Sequence, residues 1–319
     1  MLYFGAEGLV KGSASVALRK GISPLVVGLT IVAFGTSSPE FVVSISAVFN
    51  GKAGIAVGNI IGSNICNIAL ILGFSSLITP IKVNIKLIKT DILIMIFASI
   101  LLYILILDGN IGRIDGIILF MGIVCYTWYT LYIAKKEKAN SENQAPEKAR
   151  KPIIDYIFII GGLFILVIGA NFFIDGAVKI AKVLKVSDVI IGLSIVALGT
   201  SLPEMATSIV AAVKKEGDIS IGNIVGSNIF NILCILGLAA IIQPMILRGD
   251  NSVNFIDIIV MIAMAVILLP LAWTKLQMSR LEGLFLLLLY IGYIYYRWVL
   301  KIQLFNHFLK DIKNPINIL

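Results

Sequence analysis

Apolar residues run along this chain in stretches of about twenty, the length that carries a helix across roughly 30 Å of hydrocarbon. The stretches fall at 24–49, 54–79, 87–107, 111–134, 155–178, 188–213, 218–243, 253–273 and 281–300, and an additional short one opens the chain. The pattern predicts an all-α polytopic membrane protein of ten transmembrane helices. Ser23-Pro24 supplies a helix start, an N-cap followed by proline at the first helical position. Pro39 lacks an N–H and clashes with the carbonyl of Gly35, so this helix is predicted to break near 35–39, at membrane depth.

The polar interruptions occur twice. Residues 28–40, GLTIVAFGTSSPE, match residues 192–204, GLSIVALGTSLPE, at ten of thirteen positions, and the offset is 164. Residues 58–67, GNIIGSNICN, match residues 222–231, GNIVGSNIFN, at eight of ten with the same offset, which Pro80 and Pro244 also hold. The chain is therefore a duplicated unit whose best-matched parts are polar. Five spans per copy is an odd number, so the second copy enters the membrane from the opposite side and the repeats are inverted. The expected division is a first five-helix repeat at 1–134, a charged linker at 135–152, a second repeat at 153–300 and an amphipathic tail at 301–319. Aligning Gly5-Ala6 with Gly169-Ala170 sets Met1 opposite Ile165, which predicts a truncated first helix and a longer native chain.

Composition agrees with a lipid solvent. Of 319 residues 59% are hydrophobic and 14% charged, against roughly 25% charged in a soluble domain, and the mean hydropathy is +1.00. The expected location is the cell membrane, as a multi-pass protein and a monomer. With the N-terminus outside, fifteen basic residues fall in inner loops and ten in outer ones, a modest positive-inside bias. The net charge of +8 reads as attraction to the membrane surface, and nothing else favours nucleic acid.

The chemistry lies in the repeated blocks. Glu40 and Glu204 sit inside apolar runs, where each acid costs roughly 2.5–3.5 kcal/mol on insertion scales, and neither block holds a basic residue. Such acids mark ion pathways; the bland alternative is a protonated structural hydrogen bond. Around them stand the hydroxyls of Thr36, Ser37, Thr200 and Ser201 and the backbone carbonyls of Ala33, Gly35, Ala197 and Gly199. The spacings Gly58-x-x-x-Gly62 and Gly222-x-x-x-Gly226 are accounted for by close helix packing alone. Packing does not account for the polar residues among them: Ser63 and Asn67, like Ser227 and Asn231, share a helical face suited to coordination. Asn59, Asn64, Asn223 and Asn228 are assigned to packing or helix ends.

Every donor in this set is oxygen, which suits a hard cation such as calcium, with its six to eight oxygen ligands. His307 is the only histidine, and Cys66, Cys125 and Cys234 lack metal-ligand spacing, so zinc and copper are excluded here and no cofactor is expected. An intramembrane enzyme lacks a base for serine and has no H-E-x-x-H. A passive channel lined by acids remains an alternative, separated by whether calcium flux needs a counter-ion.

With G-T-S-x-P-E at 35–40 and 199–204 and G-N-x-x-G-S-N at 58–64 and 222–228, the chain resembles the calcium/cation antiporters, and among them the prokaryotic sodium/calcium exchangers. The resemblance implies two inverted five-helix halves with broken helices meeting at mid-membrane. It implies a central calcium between Glu40 and Glu204 with Thr36 and Thr200 as ligands. Flanking sodium positions would use Ala33, Ser37, Ser63, Ala197, Ser201 and Ser227, with Asn67 and Asn231 beside the centre. Some members carry aspartate where Asn231 stands. The implied activity is sodium for calcium antiport by alternating access, with calcium and sodium as transported ions; calcium/proton exchange is the alternative.

Overall fold

The computed structural model describes residues 1–140, 152–183, 197–248 and 253–313. Helix α1 is Leu2–Lys20, and α2, Pro24–Thr36, is followed across Ser37 by α3, Ser38–Phe49. Next come α4 (Ala53–Ile78), strand β1 (Ile81–Lys82), α5 (Leu87–Ile106), strand β2 (Asn110–Ile111) and α6 (Arg113–Asn140). The second half holds α7 (Pro152–Val183), α8 (Ala197–Thr200), α9 (Leu202–Val213), α10 (Gly217–Ile242), β3 (Met245–Ile246), α11 (Phe255–Trp273), β4 (Gln277–Met278) and α12 (Arg280–Lys313).

The helices follow the apolar runs closely. Ser23 caps α2, its hydroxyl accepting from the Val26 N–H at 3.4 Å, and the chain bends by 45° between Thr36 and Ser38, where Pro39 was expected to break it. Among the described residues six helices are long and apolar enough to cross a membrane, or seven if α2 and α3 form one span. The ten expected are not reached by that measure. Helix α1 carries Glu7, Lys11, Arg19 and Lys20, α12 carries Arg280, Glu282 and Arg297, and residues 184–196 of the run at 188–213 lie outside the described residues. The four strands are a small correction to an all-helical expectation. They form two antiparallel two-residue ladders, β1 with β4 (Ile81 opposite Met278) and β2 with β3 (Ile111 opposite Met245).

Within α4 and α10 the backbone widens to π-helix at Cys66–Leu72 and Asn231–Leu236, and within α2 at Gly28–Val32. Such segments are rare and often mark functional sites. The main core is built around α4 and α10, whose Ile60, Ile61, Ile65, Ile224 and Ile229 are buried. Outside it, Phe97, Trp128, Phe164 and Phe172 turn exposed rings outward, the inverse of a soluble surface and the arrangement lipid favours.

A second cluster joins α1 to α7 through glycine. A Cβ on Gly162 would lie 2.6 Å from the Leu9 nitrogen and 2.7 Å from the Gly5 carbonyl, so only glycine permits this backbone approach. A Cβ on Gly5 or Gly12 would likewise fall within 2.8 Å and 2.9 Å of the α7 backbone. Arg19 of α1 forms an ion pair with the buried Asp155 of α7, and Glu7 binds Lys11 at 2.8 Å and Lys214, just after α9, at 2.7 Å. In the second copy Gly222 and Gly226 approach the α2 backbone, a Cβ on Gly226 falling 2.7 Å from the Leu29 carbonyl, which is the packing role expected of that spacing; among the described residues a Cβ on Gly58 or Gly62 would meet nothing within 4 Å. The expected linker is helical to Asn140 and again from Pro152, with 141–151 outside the described residues. Residues 301–313 continue α12, and 314–319 lie outside the described residues.

Candidate cation site

Both copies break their helices in the same way. Ser37 has φ −78° and ψ 6°, Ser201 has φ −87° and ψ 8°, and each is followed by a helix with proline at its start and a glutamate in its first turn. That placement sets Glu40 and Glu204 at helix N-termini, where the macrodipole favours a carboxylate. The carbonyl of Ala33 is less free than expected, since it accepts the Ser37 N–H at 3.1 Å and lies 3.5 Å from the Thr36 hydroxyl. Ala197 lies in α8.

The structure brings the two motifs together, and the bonds cross between copies. Ser201 donates to Glu40 Oε1 at 3.0 Å and Ser37 donates to Glu204 Oε1 at 3.1 Å. Ser63 reaches Glu40 Oε1 at 3.5 Å, and its hydroxyl oxygen lies 3.3 Å from that of Ser201. Thr200 lies beside Glu40 and Thr36 beside Glu204, while the Thr36 hydroxyl donates to Asn223 Oδ1 at 3.0 Å. Of the proposed set, the eleven residues with described side chains are all buried, none more than 4% exposed.

What remains unpaired gives the site its chemistry. Among the described residues Glu40 Oε2, Glu204 Oε2, Asn67 Oδ1, Asn231 Oδ1 and the Ser227 hydroxyl are buried without a hydrogen-bond partner. Buried polar atoms are rarely left so, and the second oxygen of each carboxylate accepts from a serine of the opposite copy. No three of His, Cys, Asp and Glu cluster among the described residues; the unpartnered atoms here belong to two acids, two amides and a hydroxyl. A hard cation satisfies both the lone pairs and the charge.

Four asparagines assigned to packing or helix ends do more than that. Asn59 donates to the Ser44 hydroxyl at 3.0 Å and to the Glu40 carbonyl at 3.4 Å, and Asn223 makes the same two bonds to Ser208 and Glu204 at the same distances. These bonds fasten α3 to α4 and α9 to α10 beside each glutamate. Ser44 and Ser208 carried a signal, being four residues after each glutamate and 164 apart. Asn64 and Asn228 bond across the copies, Asn64 Nδ2 to the Asn228 carbonyl at 3.2 Å and Asn228 Nδ2 to the Asn64 carbonyl at 3.3 Å.

Comparison with known proteins agrees with this site. The model of the family described as sodium/calcium exchanger protein matches residues 1–132 and 154–299. The chain belongs to that family. It is 38% identical to the putative antiporter CaxA of Alkalimonas amylolytica over 92% of this chain and 94% of that one. It is 31% identical to the sodium/calcium exchanger MaX1 of Methanosarcina acetivorans, over 91% and 93%. Solved structures of the sodium-calcium exchanger NCX_Mj, including one soaked with Na+ and Ca2+, match with a TM-score of 0.79 at 34% identity, over 92% of this chain and 93% of that one. This member of the family is therefore a multi-pass membrane cation antiporter and not an enzyme, with a fold like that of NCX_Mj.

Proposed function

We propose that this antiporter exchanges sodium for calcium across the cell membrane by alternating access. The observation that carries the reading is the set of buried oxygens without partners, Glu40 Oε2, Glu204 Oε2, Asn67 Oδ1 and Asn231 Oδ1, contributed by sequence blocks that hold no basic residue. Calcium lies between Glu40 and Glu204 with Thr36 and Thr200. Sodium takes flanking positions at Ala33, Ser37, Ser63, Ala197, Ser201 and Ser227, and Asn67 and Asn231 stand beside the centre.

Charge then drives mutual exclusion. Two ionised glutamates balance one calcium, and sodium ions that replace it keep the site near neutral during its passage through a low-dielectric region, where an uncompensated pair is costly. The relatives named sodium/calcium exchanger support sodium as the counter-ion. Calcium/proton exchange is the second reading, favoured by a site whose only formal charges are two protonatable carboxylates. A single chain supplies both glutamates, which is consistent with a monomer.

We further propose ten spans in two inverted halves, 1–134 and 153–300, joined by the linker 135–152 and followed by the tail 301–319. The two ladders support this threading. Ten crossings put β1 and β4 on one membrane face and β2 and β3 on the other, so each strand pairs with the one its face allows.

The test is calcium-45 uptake into proteoliposomes loaded with sodium, set against potassium-loaded vesicles and an imposed proton gradient at clamped potential. Uptake is expected only with internal sodium. Uptake driven by protons alone establishes the second reading, and uptake without any counter-ion makes the protein a channel.

A further inference from the structure

We infer that Asn64 and Asn228 are positioning residues that turn the amide oxygens of Asn231 and Asn67 toward the cation, each acting on the opposite copy. The inference rests on the cation-exchange reading above. Asparagine presents an oxygen at one end of its amide and an NH2 group of almost the same size at the other, so nothing in its shape decides which end faces a cavity. Hydrogen-bond partners must decide it.

The decision begins at atoms that can only accept. Asn228 Nδ2 faces the Asn64 backbone carbonyl at 3.3 Å and the Met95 sulfur at 3.5 Å. Asn64 Nδ2 faces the Asn228 carbonyl at 3.2 Å and the Met261 sulfur at 3.7 Å. A carbonyl and a thioether supply no hydrogen, so both amide nitrogens are held there and both amide oxygens point away. Asn228 Oδ1 then accepts from Asn67 Nδ2 at 2.9 Å, and Asn64 Oδ1 accepts from Asn231 Nδ2 at 3.0 Å. With their nitrogens engaged, Asn67 and Asn231 direct Oδ1 elsewhere, and both of these oxygens are left buried without partners. A reversed amide at Asn231 sets oxygen against oxygen at Asn64 and presents hydrogens to the cation. The network thus converts two ambiguous amides into two oxygen ligands.

A double-mutant comparison separates orientation from packing. Calcium dependence of exchange and equilibrium calcium-45 binding are measured for Asn64→Ala in the native sequence and in an Asn231→Asp background. Aspartate offers an oxygen whichever way it turns, so it does not need Asn64. In the native sequence Asn64→Ala is expected to raise the calcium KM and Kd about tenfold, worth ~1.4 kcal/mol, with a smaller change in maximal rate. In the Asn231→Asp background the same change is expected to alter affinity by no more than about twofold. Equal losses in both backgrounds overturn the inference and leave Asn64 a packing residue, as does an unchanged affinity in the native sequence. Should Asn64→Ala fail to fold, the mirror pair, Asn228→Ala with and without Asn67→Asp, gives the same reading. A native protein that neither binds nor exchanges calcium removes the exchanger reading itself, and is told apart because the loss precedes any substitution.

Discussion

At the residue scale the proposed site works by leaving oxygen lone pairs unspent. Glu40 and Glu204 each keep one oxygen without a partner and give the other to a serine of the opposite copy. Replacing either with glutamine puts an amide hydrogen where a carboxylate stood and halves the formal charge facing the ion. Glu40→Gln and Glu204→Gln are each expected to lower calcium affinity about a hundredfold or more, near 3 kcal/mol, abolishing sodium-driven calcium uptake at ordinary calcium levels. Near-normal uptake in either variant would remove that glutamate from the site. Asn231→Asp adds a third acid beside the pair and is expected to be tolerated, with a changed ion preference or pH profile of exchange. Identical ion and pH profiles would place Asn231 away from the ion. The sequence made the proposed ligands legible as candidates, because duplication preserved Glu40 with Glu204 and Asn67 with Asn231 at one offset. It hid the second rank, because asparagines at 59, 64, 223 and 228 look alike until their partners are seen.

At the element scale, what was readable depended on whether a residue's own covalent structure forced the backbone. Pro39 and Pro203 force the breaks at Ser37 and Ser201; the first was predicted from its proline, and the second lies at the same place in the repeated motif. The π segments at Cys66–Leu72 and Asn231–Leu236 were not, since no residue type demands them. Glycine is an intermediate case. Gly5, Gly12 and Gly162 showed only that α1 and α7 carry small residues; the structure sets their backbones in contact. Gly162→Val is therefore expected to cost about 1–3 kcal/mol through overpacking, seen as a lower melting temperature of the purified protein. Gly161→Ala, with nothing within 4 Å of a new Cβ among the described residues, is the control. It is expected to be neutral or to stabilise by up to about 1 kcal/mol, the helix-propensity difference. A Gly162→Val protein as stable as the native one would show that α1 and α7 are not held at this distance.

At the scale of the whole molecule the two ladders tie loops that are remote in sequence. In a Cys125→Ser background, which removes the exposed native thiol, Lys82→Cys and Lys275→Cys are expected to react with an impermeant thiol reagent from one membrane face. Asp108→Cys and Ile246→Cys are expected to react only from the other. Labelling of Lys82→Cys and Ile246→Cys from the same face would rule out the ten-span threading. The hydrophobic runs located the proposed spans, and charges that fall within α1 and α12 are partly neutralised by partners: Arg19 with Asp155, Glu7 with Lys11 and Lys214, and Arg297 with Asp257 at 3.2 Å.

The sequence by itself determined that this is a duplicated membrane protein, where its helices run, where two of them break, and that two acids and a set of oxygen donors recur in register. Those features are local: they follow from the length of an apolar run, the missing N–H of a proline and the identity of a side chain. Only the tertiary structure decided which way the donors face. Ser201 reaches Glu40 across 161 residues, Asn67 reaches Asn228 across 161, and Asn231 reaches Asn64 across 167. An amide has no preferred end and a carboxylate no preferred oxygen until a partner engages one of them, and here the partners for both belong to the other copy of the repeat.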